Sequence, residues 1–225
     1  ADAWSDCPTL LLELARKTGA GALHFNDEYG IHEQRRDDAV SEAFAAAGDA
    51  MGPLRYVISF SSYGVALTSA YTPAYREPYR EVMALLIRKM LHKTSWIDWL
   101  EHWGDDPLGP DNIMFTGHLV YMMTLYRQLY NDPTFESTVT LTNPDGPEFT
   151  TDVKTLAASI DDQESAYVDV NGDPIYNIAC EPGRIFLPCN LPHHLSQMSF
   201  DRIYDTQYVE GDDLWLQWVK TQMVQ

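Results

Sequence analysis

A mainly α-helical protein with one small β excursion is the fold class this sequence predicts. Two observations carry it. Apolar residues recur at three- and four-residue spacing through most of the 225 residues, and period-two alternation with strong turn signals is confined to residues 132–177. A hydrophobic share of 45% is ordinary for a folded chain, and the length suffices to bury a core as a single domain over 1–225. Chains of this length and class form bundles, helical repeats or α/α barrels, and spacing alone does not choose among them.

The elements follow in order. Residues 7–19 form a helix, with Pro8 near its start and Gly19 at its stop. Residues 20–32, with Gly21, Asn26, Asp27 and Gly30, form a loop, and 33–47 is an Ala-rich helix ended by Gly48. Residues 54–71 and 75–93 carry apolar residues at helical spacing, the first crossed only by Gly64. A short helix and a turn on Pro107, Gly109 and Pro110 occupy 94–111. Residues 112–131 form the most hydrophobic helix, with Asp111 or Asn112 as its cap. Segments 138–142 and 167–170 alternate like strands, and Asn171-Gly172 marks a hairpin turn, giving a β-hairpin excursion around 138–178. Helices are expected at 149–161, 191–205 and 212–224.

Charge narrows the partners. Lys and Arg number 15 against 33 Asp and Glu, so the net charge is 15 − 33 = −18. A chain this acidic lacks the positive footprint that nucleic acid or an anionic membrane requires. No apolar run approaches the roughly 20 residues of a membrane span. Gly-rich phosphate loops, Gly-x-Ser-x-Gly and His-Glu-x-x-His are absent. Asp169-Val-Asn-Gly-Asp173 lacks the closing glutamate of a calcium loop and is a turn.

The remaining chemistry lies in a few residues. Cys180 and Cys189 are nine apart, which is not a zinc spacing. They are two buried thiols, a local disulfide, or a functional pair. Asn190 is a suitable helix cap, with Pro192 in the first turn, so Cys189 is expected just before a helix N-terminus, where thiolate is favoured. Glu181 beside Cys180 favours the protonated thiol there. Met114 and His118 share a helix face, and Gly117, costly in a helix, marks close approach of a backbone or a ligand. His193 and His194, being adjacent, are expected on different helix faces, so no metal site is predicted. Asp98, Glu101, Asp105 and Asp106 are either a solvated acidic loop or a carboxylate pair for glycan chemistry. The 6 Trp, 13 Tyr and 8 Phe suit a core and equally an apolar cavity for a hydrophobic ligand.

Five ordered motifs then point to one family. They are Tyr56-Val-Ile-Ser-Phe-Ser-Ser-Tyr-Gly64, Lys89-Met90, Trp96-Ile-Asp-Trp99, Asn112-Ile-Met-Phe-Thr-Gly-His-Leu119 and Cys180-Glu-Pro-Gly-Arg-Ile-Phe-Leu-Pro-Cys-Asn190. In order and spacing the set resembles the linalool dehydratase/isomerase family from about 54 to 131 and again from 178 to about 208. The resemblance implies an α/α barrel that isomerises geraniol to linalool and dehydrates linalool to myrcene without a cofactor. It implies Cys180, Cys189 and His118 as catalytic residues, and Met114, Tyr56, Phe186 and Glu181 around the substrate. It leaves Asp27 and Tyr29 as loose counterparts of an Asp and a Tyr the family uses near its N-terminus. Leu91 stands where the family has a disulfide cysteine.

The chain stops short of the helices that close the family's barrel. The expectation is therefore an incomplete barrel, completed by further chain or by homo-oligomerisation. The expected substrate is small, hydrophobic and isoprenoid-like. The alternatives are an α/α-barrel carbohydrate enzyme and a hydrophobic-ligand binder that kept the fold without the chemistry. Cysteine usage favours the cytoplasm, whereas the resemblance points to the periplasm.

Overall fold

The computed structural model describes residues 7–18, 54–169 and 171–222. The chain divides into two compact units, 1–54 and 55–225. In the first, helix α1 (Cys7–Thr18) is the described element, as expected, with Arg16 and Lys17 in its last turn, where the helix dipole favours them. The expected loop at 20–32 and helix at 33–47 lie outside the described residues.

The second unit is mainly helical with a short two-stranded sheet. It opens with α2 (Leu54–Tyr71), which runs through Gly64 without a break, a 3-10 turn at Pro73–Tyr75, and α3 (Arg76–Met90). A second 3-10 turn (Lys93–Ser95) and α4 (Ile97–His102) precede α5 (Ile113–Tyr130). Strands β1 (Val139–Leu141) and β2 (Phe149–Thr151) lead to α6 (Val153–Glu164), then α7 (Leu187–Tyr204) and α8 (Glu210–Gln222).

Helix α5 is the centre. Every residue from Ile113 to Val120 is buried, so the helix is enclosed on all sides rather than amphipathic. Its most extensive neighbour is α7, with α3 and α6 also against it. The core gathers Met83, Ile87 and Met90 from α3, Phe115, Leu119 and Met122 from α5, and Phe200 from α7. Where α5 and α7 cross, Thr124 and Ser196 satisfy each other's buried hydroxyls at 3.1 Å. Gly117 is the other point of contact. A Cβ there would lie 3.2 Å from side-chain carbons of Ile113 in the same helix and 3.5 Å from the Cys189 carbonyl oxygen, so the tight contact is within α5 and the α7 backbone stands at ordinary contact distance.

Several boundaries depart from expectation, each for a local reason. The partner of β1 is 149–151, not 167–170, with Val139 opposite Thr151 and Leu141 opposite Phe149. The Asn143–Gly146 turn closes this pair at short range, so the start of the segment expected to be helical is a strand. Helix α6 begins only at Val153, because the Asp152 carboxylate accepts the N–H groups of Lys154 and Thr155, both at 2.9 Å. Asn171-Gly172 does turn, with Gly172 at φ 88° and Asp169 accepting from the Asn171 and Asp173 N–H groups, but it joins a single bridge, Val168 to Pro174. Asn112 precedes α5 without capping it: its side-chain amide donates instead to the Pro107 carbonyl at 2.8 Å. Asp111 beside it holds a left-handed backbone, φ 66°.

The Asp152 cap makes a direct prediction. Asp152→Ala removes two backbone hydrogen bonds and a third to the Thr155 hydroxyl. It should cost about 1 kcal/mol in urea unfolding, whereas Asp152→Asn should recover most of that loss.

Candidate active site

Three segments bring the expected site residues together. Helix α2 contributes Tyr56, Phe60 and Tyr63, which share one face at spacings of four and three. Helix α5 contributes Met114 and His118, both buried, with Tyr121 a turn further. The stretch 178–190 contributes both thiols, and its shape follows from three local features.

The first is a tight turn. Glu181-Pro182-Gly183-Arg184 has proline at its second position and Gly183 at φ 76°, the pattern of a type II turn, and the Arg184 N–H bonds the Glu181 carbonyl at 2.8 Å. The Cys180 N–H in turn bonds the Arg184 carbonyl at 2.7 Å, so the chain folds back beside the first thiol. The second is Asn190. Its carbonyl oxygen accepts the Ile178 N–H at 2.8 Å, and its amide donates to the Ile178 and Phe186 carbonyls, each at 3.0 Å. The third is the bond from the Ile113 N–H to the Ala179 carbonyl, 3.2 Å, which fixes the segment bearing Cys180 to the start of α5.

This arrangement corrects the expected helix start. Helix α7 begins at Leu187, with Phe186 at its cap position, so Asn190 is inside the helix and Cys189 is in its first turn. Pro188 fills the early position that favours proline, while Pro192 lies within the helix. Asn190 is released from capping because its side chain is fully committed to the tertiary bonds just described. The helix dipole still acts on Cys189, since its effect spans the first turn.

Cys180 and Cys189 are buried free thiols near enough to shift each other's titration. Their environments differ. The neighbouring Cys180 thiol lowers the Cys189 pKa most. Burial opposes this, and the Tyr56 hydroxyl at 3.6 Å and the charge of Arg55 add to the lowering, bringing it to about 7. Cys180 is pushed far up by Cys189 and by burial, with Glu181 adding to the rise. The Cys180 sulfur also lies 3.8 Å from the Phe186 carbonyl. The two thiols are thus unequal: Cys189 is the more acidic, and Cys180 keeps its proton.

Tyr56 joins this pair to the histidine. Its hydroxyl meets Cys189, and its ring stands edge-on to His118 at 5.4 Å. His118 is 1% exposed, and burial, then the charge of Arg55, lowers its pKa to about 4, so it is neutral at pH 7. Its Nδ1 is 2.7 Å from the Tyr63 hydroxyl, while Nε2 is buried without a hydrogen-bond partner. Burial also raises Tyr63, which keeps its proton, and Tyr121 packs against it at 4.9 Å.

The other expected residues take lesser positions. Glu181 pairs with Arg184 at 3.1 Å. Phe186 is 52% exposed, and its backbone does more than its ring, accepting from the Cys189 N–H and the Asn190 amide. Asp98 is taken up by an ion pair with the buried Arg55, and Glu101, Asp105 and Asp106 are exposed. Asp27 and Tyr29 lie outside the described residues. Leu91 is part of the core.

The family model described as linalool dehydratase/isomerase matches residues 55–225, which includes every element of the second unit. The chain belongs to the linalool dehydratase/isomerase family. Two contributors to the site of this family member were not among the expected residues. Tyr63 was available in the sequence, since positions 56, 60 and 63 form one aromatic helix face. Arg55 was available as a lone charge opening an apolar helix, but nothing in the sequence showed that it would be buried beside a thiol and a histidine.

Thiol titration checks the site. Alkylation of Cys189 should rise with pH about a midpoint near 7 rather than the ordinary 9, because the reactive form is the thiolate. Tyr56→Phe removes a donor to that thiolate and should move the midpoint upward. A midpoint near 9 in the unmodified protein would show that the thiols are not polarised.

Proposed function

We propose that this family member is a cofactor-free lyase/isomerase of small terpenoid alcohols, working by acid–base chemistry at Cys180, Cys189 and His118. The observation that carries this reading is the pair of buried free thiols in unequal surroundings, held one tyrosine away from a neutral buried imidazole. The surroundings are aromatic, and Arg55, the one buried Lys or Arg among the described residues, pairs with Asp98 through one nitrogen while its Nε and Nη1 are buried without partners. Aromatic surroundings with a single cation suit a hydrophobic substrate with one polar oxygen better than a diphosphate.

The chemistry balances within the site. In dehydration of a tertiary allylic alcohol, the C–O bond breaks as the leaving oxygen takes the Cys180 proton, and water departs. The Cys189 thiolate removes a proton from the carbon next to the cationic centre, and the new double bond forms. The proton then passes from Cys189 to Cys180, which restores the starting state. Two titrating groups whose environments push their pKa values apart are the general arrangement for such paired roles. Tyr63 donates to His118 Nδ1, which places the imidazole proton on Nε2. That unpartnered N–H holds the substrate hydroxyl. Isomerisation uses the same groups, with water returning to the other end of the allylic cation. Met114, Phe186 and the Tyr56 ring line the hydrocarbon part, and Glu181 holds the Cys180 proton in place.

An α/α barrel completed by further chain or by copies of the protein accompanies this reading. It is supported by the apolar outer face of α2, where Val57, Phe60, Leu67 and Tyr71 are exposed, and by exposed Leu191, Leu195 and Met198 on α7.

Incubation with linalool and with geraniol, followed by gas chromatography, tests the proposal. Cys180→Ala and Cys189→Ala should each lower turnover by at least about 100-fold with helical circular dichroism unchanged. Undiminished turnover in both variants rules out the thiol mechanism. Absence of any turnover in the unmodified protein, with retention of an added terpenoid, favours a hydrophobic-ligand binder.

A further inference from the structure

A second buried cluster lies on the other side of Asn190 from the thiols. Glu164 at the end of α6 and His193 and His194 of α7 are 2%, 0% and 3% exposed. One potential ligand atom from each lies within 4.8 Å of the other two. The two adjacent histidines do not diverge as their sequence positions suggest. Their rings are tilted against each other with centroids 3.9 Å apart. Helix α7 is buried on more than one side here, so both rings turn inward.

The hydrogen-bond accounting of this cluster is incomplete in one particular way. His193 Nδ1, His194 Nε2 and a Glu164 carboxylate oxygen are all buried, and none has a hydrogen-bond partner. Glu164 approaches His193 Nδ1 at 3.5 Å, too long to count as a bond. Leaving such atoms unsatisfied costs about 1–3 kcal/mol each, and buried polar side chains are as a rule paired.

The outer atoms of the same rings, by contrast, are held. His194 Nδ1 is 2.6 Å from an Asp212 carboxylate oxygen, and His193 Nε2 is 3.3 Å from the Asn190 carbonyl oxygen. Both outer contacts are acceptors, so both rings carry their protons outward and turn a lone pair toward Glu164. A carboxylate or carbonyl acceptor behind a ligating histidine is the usual means of fixing its tautomer and raising its basicity. Trp215 covers the outer face of His194 at 4.2 Å, and the Gln197 amide adjoins both Glu164 and His193.

We infer that Glu164, His193 and His194 bind a zinc-class divalent cation, through Glu164 Oε2, His193 Nδ1 and His194 Nε2. Two imidazoles and one carboxylate match the donors that zinc takes. Tetrahedral zinc with ligands at about 2.1 Å sets its ligand atoms roughly 3.4 Å apart, close to the separation of His193 and Glu164 and within reach of small side-chain rotations by His194. The ligands are too deeply buried to leave an open reaction position, so the site is structural. It ties the end of α6 to α7, and through His193 it braces Asn190, which holds the two thiols. The buried Gln197 side chain, whose amide atoms are also without partners, stands beside this cluster.

Metal analysis of the full chain decides the matter. The protein is produced without a histidine tag in zinc-supplemented medium, dialysed, and measured by inductively coupled plasma mass spectrometry. The expected content is about one zinc per chain, falling at least tenfold in Glu164→Gln. Should Glu164→Gln fold poorly, Asp212→Asn, which touches only the outer side of His194, should still weaken zinc binding by roughly 10-fold or more. Cobalt added to chelator-stripped protein should give the intense visible bands of a tetrahedral site, and these should be lost in Glu164→Gln. Less than a tenth of an equivalent of zinc together with no cobalt bands overturns the inference, as does equal zinc in the unmodified protein and in Glu164→Gln. Because the readout is metal content, it is independent of whether the thiols turn over a terpenoid.

Discussion

The side chain of Asn190 is the constraint on which the site depends. One amide closes a loop of twelve residues by satisfying both backbone groups of Ile178 and the carbonyl of Phe186. Without those bonds, the Ile178 N–H and C=O would be buried and unpaired, which is costly in a region this dry. With them, Cys180 is fixed beside the first turn of the helix that carries Cys189. The polarisation of the thiols, the contact with Tyr56 and the approach of α7 to Gly117 all presuppose this placement. The same amide oxygen faces His193 on its far side, so the thiol pair and the Glu164 cluster share one structural support.

Electrostatics in the site works by contrast between neighbours. Arg55 is buried and charged, and its field disfavours a proton on His118 while favouring the anion at Cys189. Burial does most to keep the imidazole neutral, and the same cation adds to it while making the Cys189 thiol more acidic. Asp98 offsets the cost of burying Arg55. The acidic surface implied by the net charge of −18 takes no part in the thiol pair apart from Glu181, which holds the proton on Cys180.

The helices α2, α3 and α5 were legible in the sequence because their apolar residues repeat over four or more turns, and long periodic signals are hard to imitate. The short strand at 149–151 was not, because three residues carry too little pattern to separate from the helix that follows. Its boundary was nonetheless written in Asp152, a capping residue three positions before Thr155. The start of α7 was misplaced because Asn190 and Pro192 together imitate a helix beginning. Only the fold reveals that the asparagine is engaged elsewhere. The cysteines, His118 and Met114 could be singled out from residue type and spacing, but the bond between Tyr63 and His118 joins residues 55 apart in the chain and has no local signature. Adjacent histidines fall on different faces of a helix, but His193 and His194 are both buried because α7 is enclosed on more than one side there, which residue spacing does not show.

The contact at Gly117 sets which side of the candidate site has room to change. Helices α5 and α7 are in ordinary contact there, with a Cβ at Gly117 lying 3.5 Å from the Cys189 carbonyl oxygen, and both are enclosed by the core, so neither wall can retreat without unpacking it. Helix α2 is different, because it presents Phe60 and Val57 toward solvent and no atom lies within 4 Å of a Cβ built at Gly64. Under the proposed function, α2 is the side freest to change with the length of the hydrocarbon tail, since Met114 sits on the enclosed α5. A lineage adapting to longer or shorter alcohols has one adjustable wall, and the two that carry the chemistry can stay as they are.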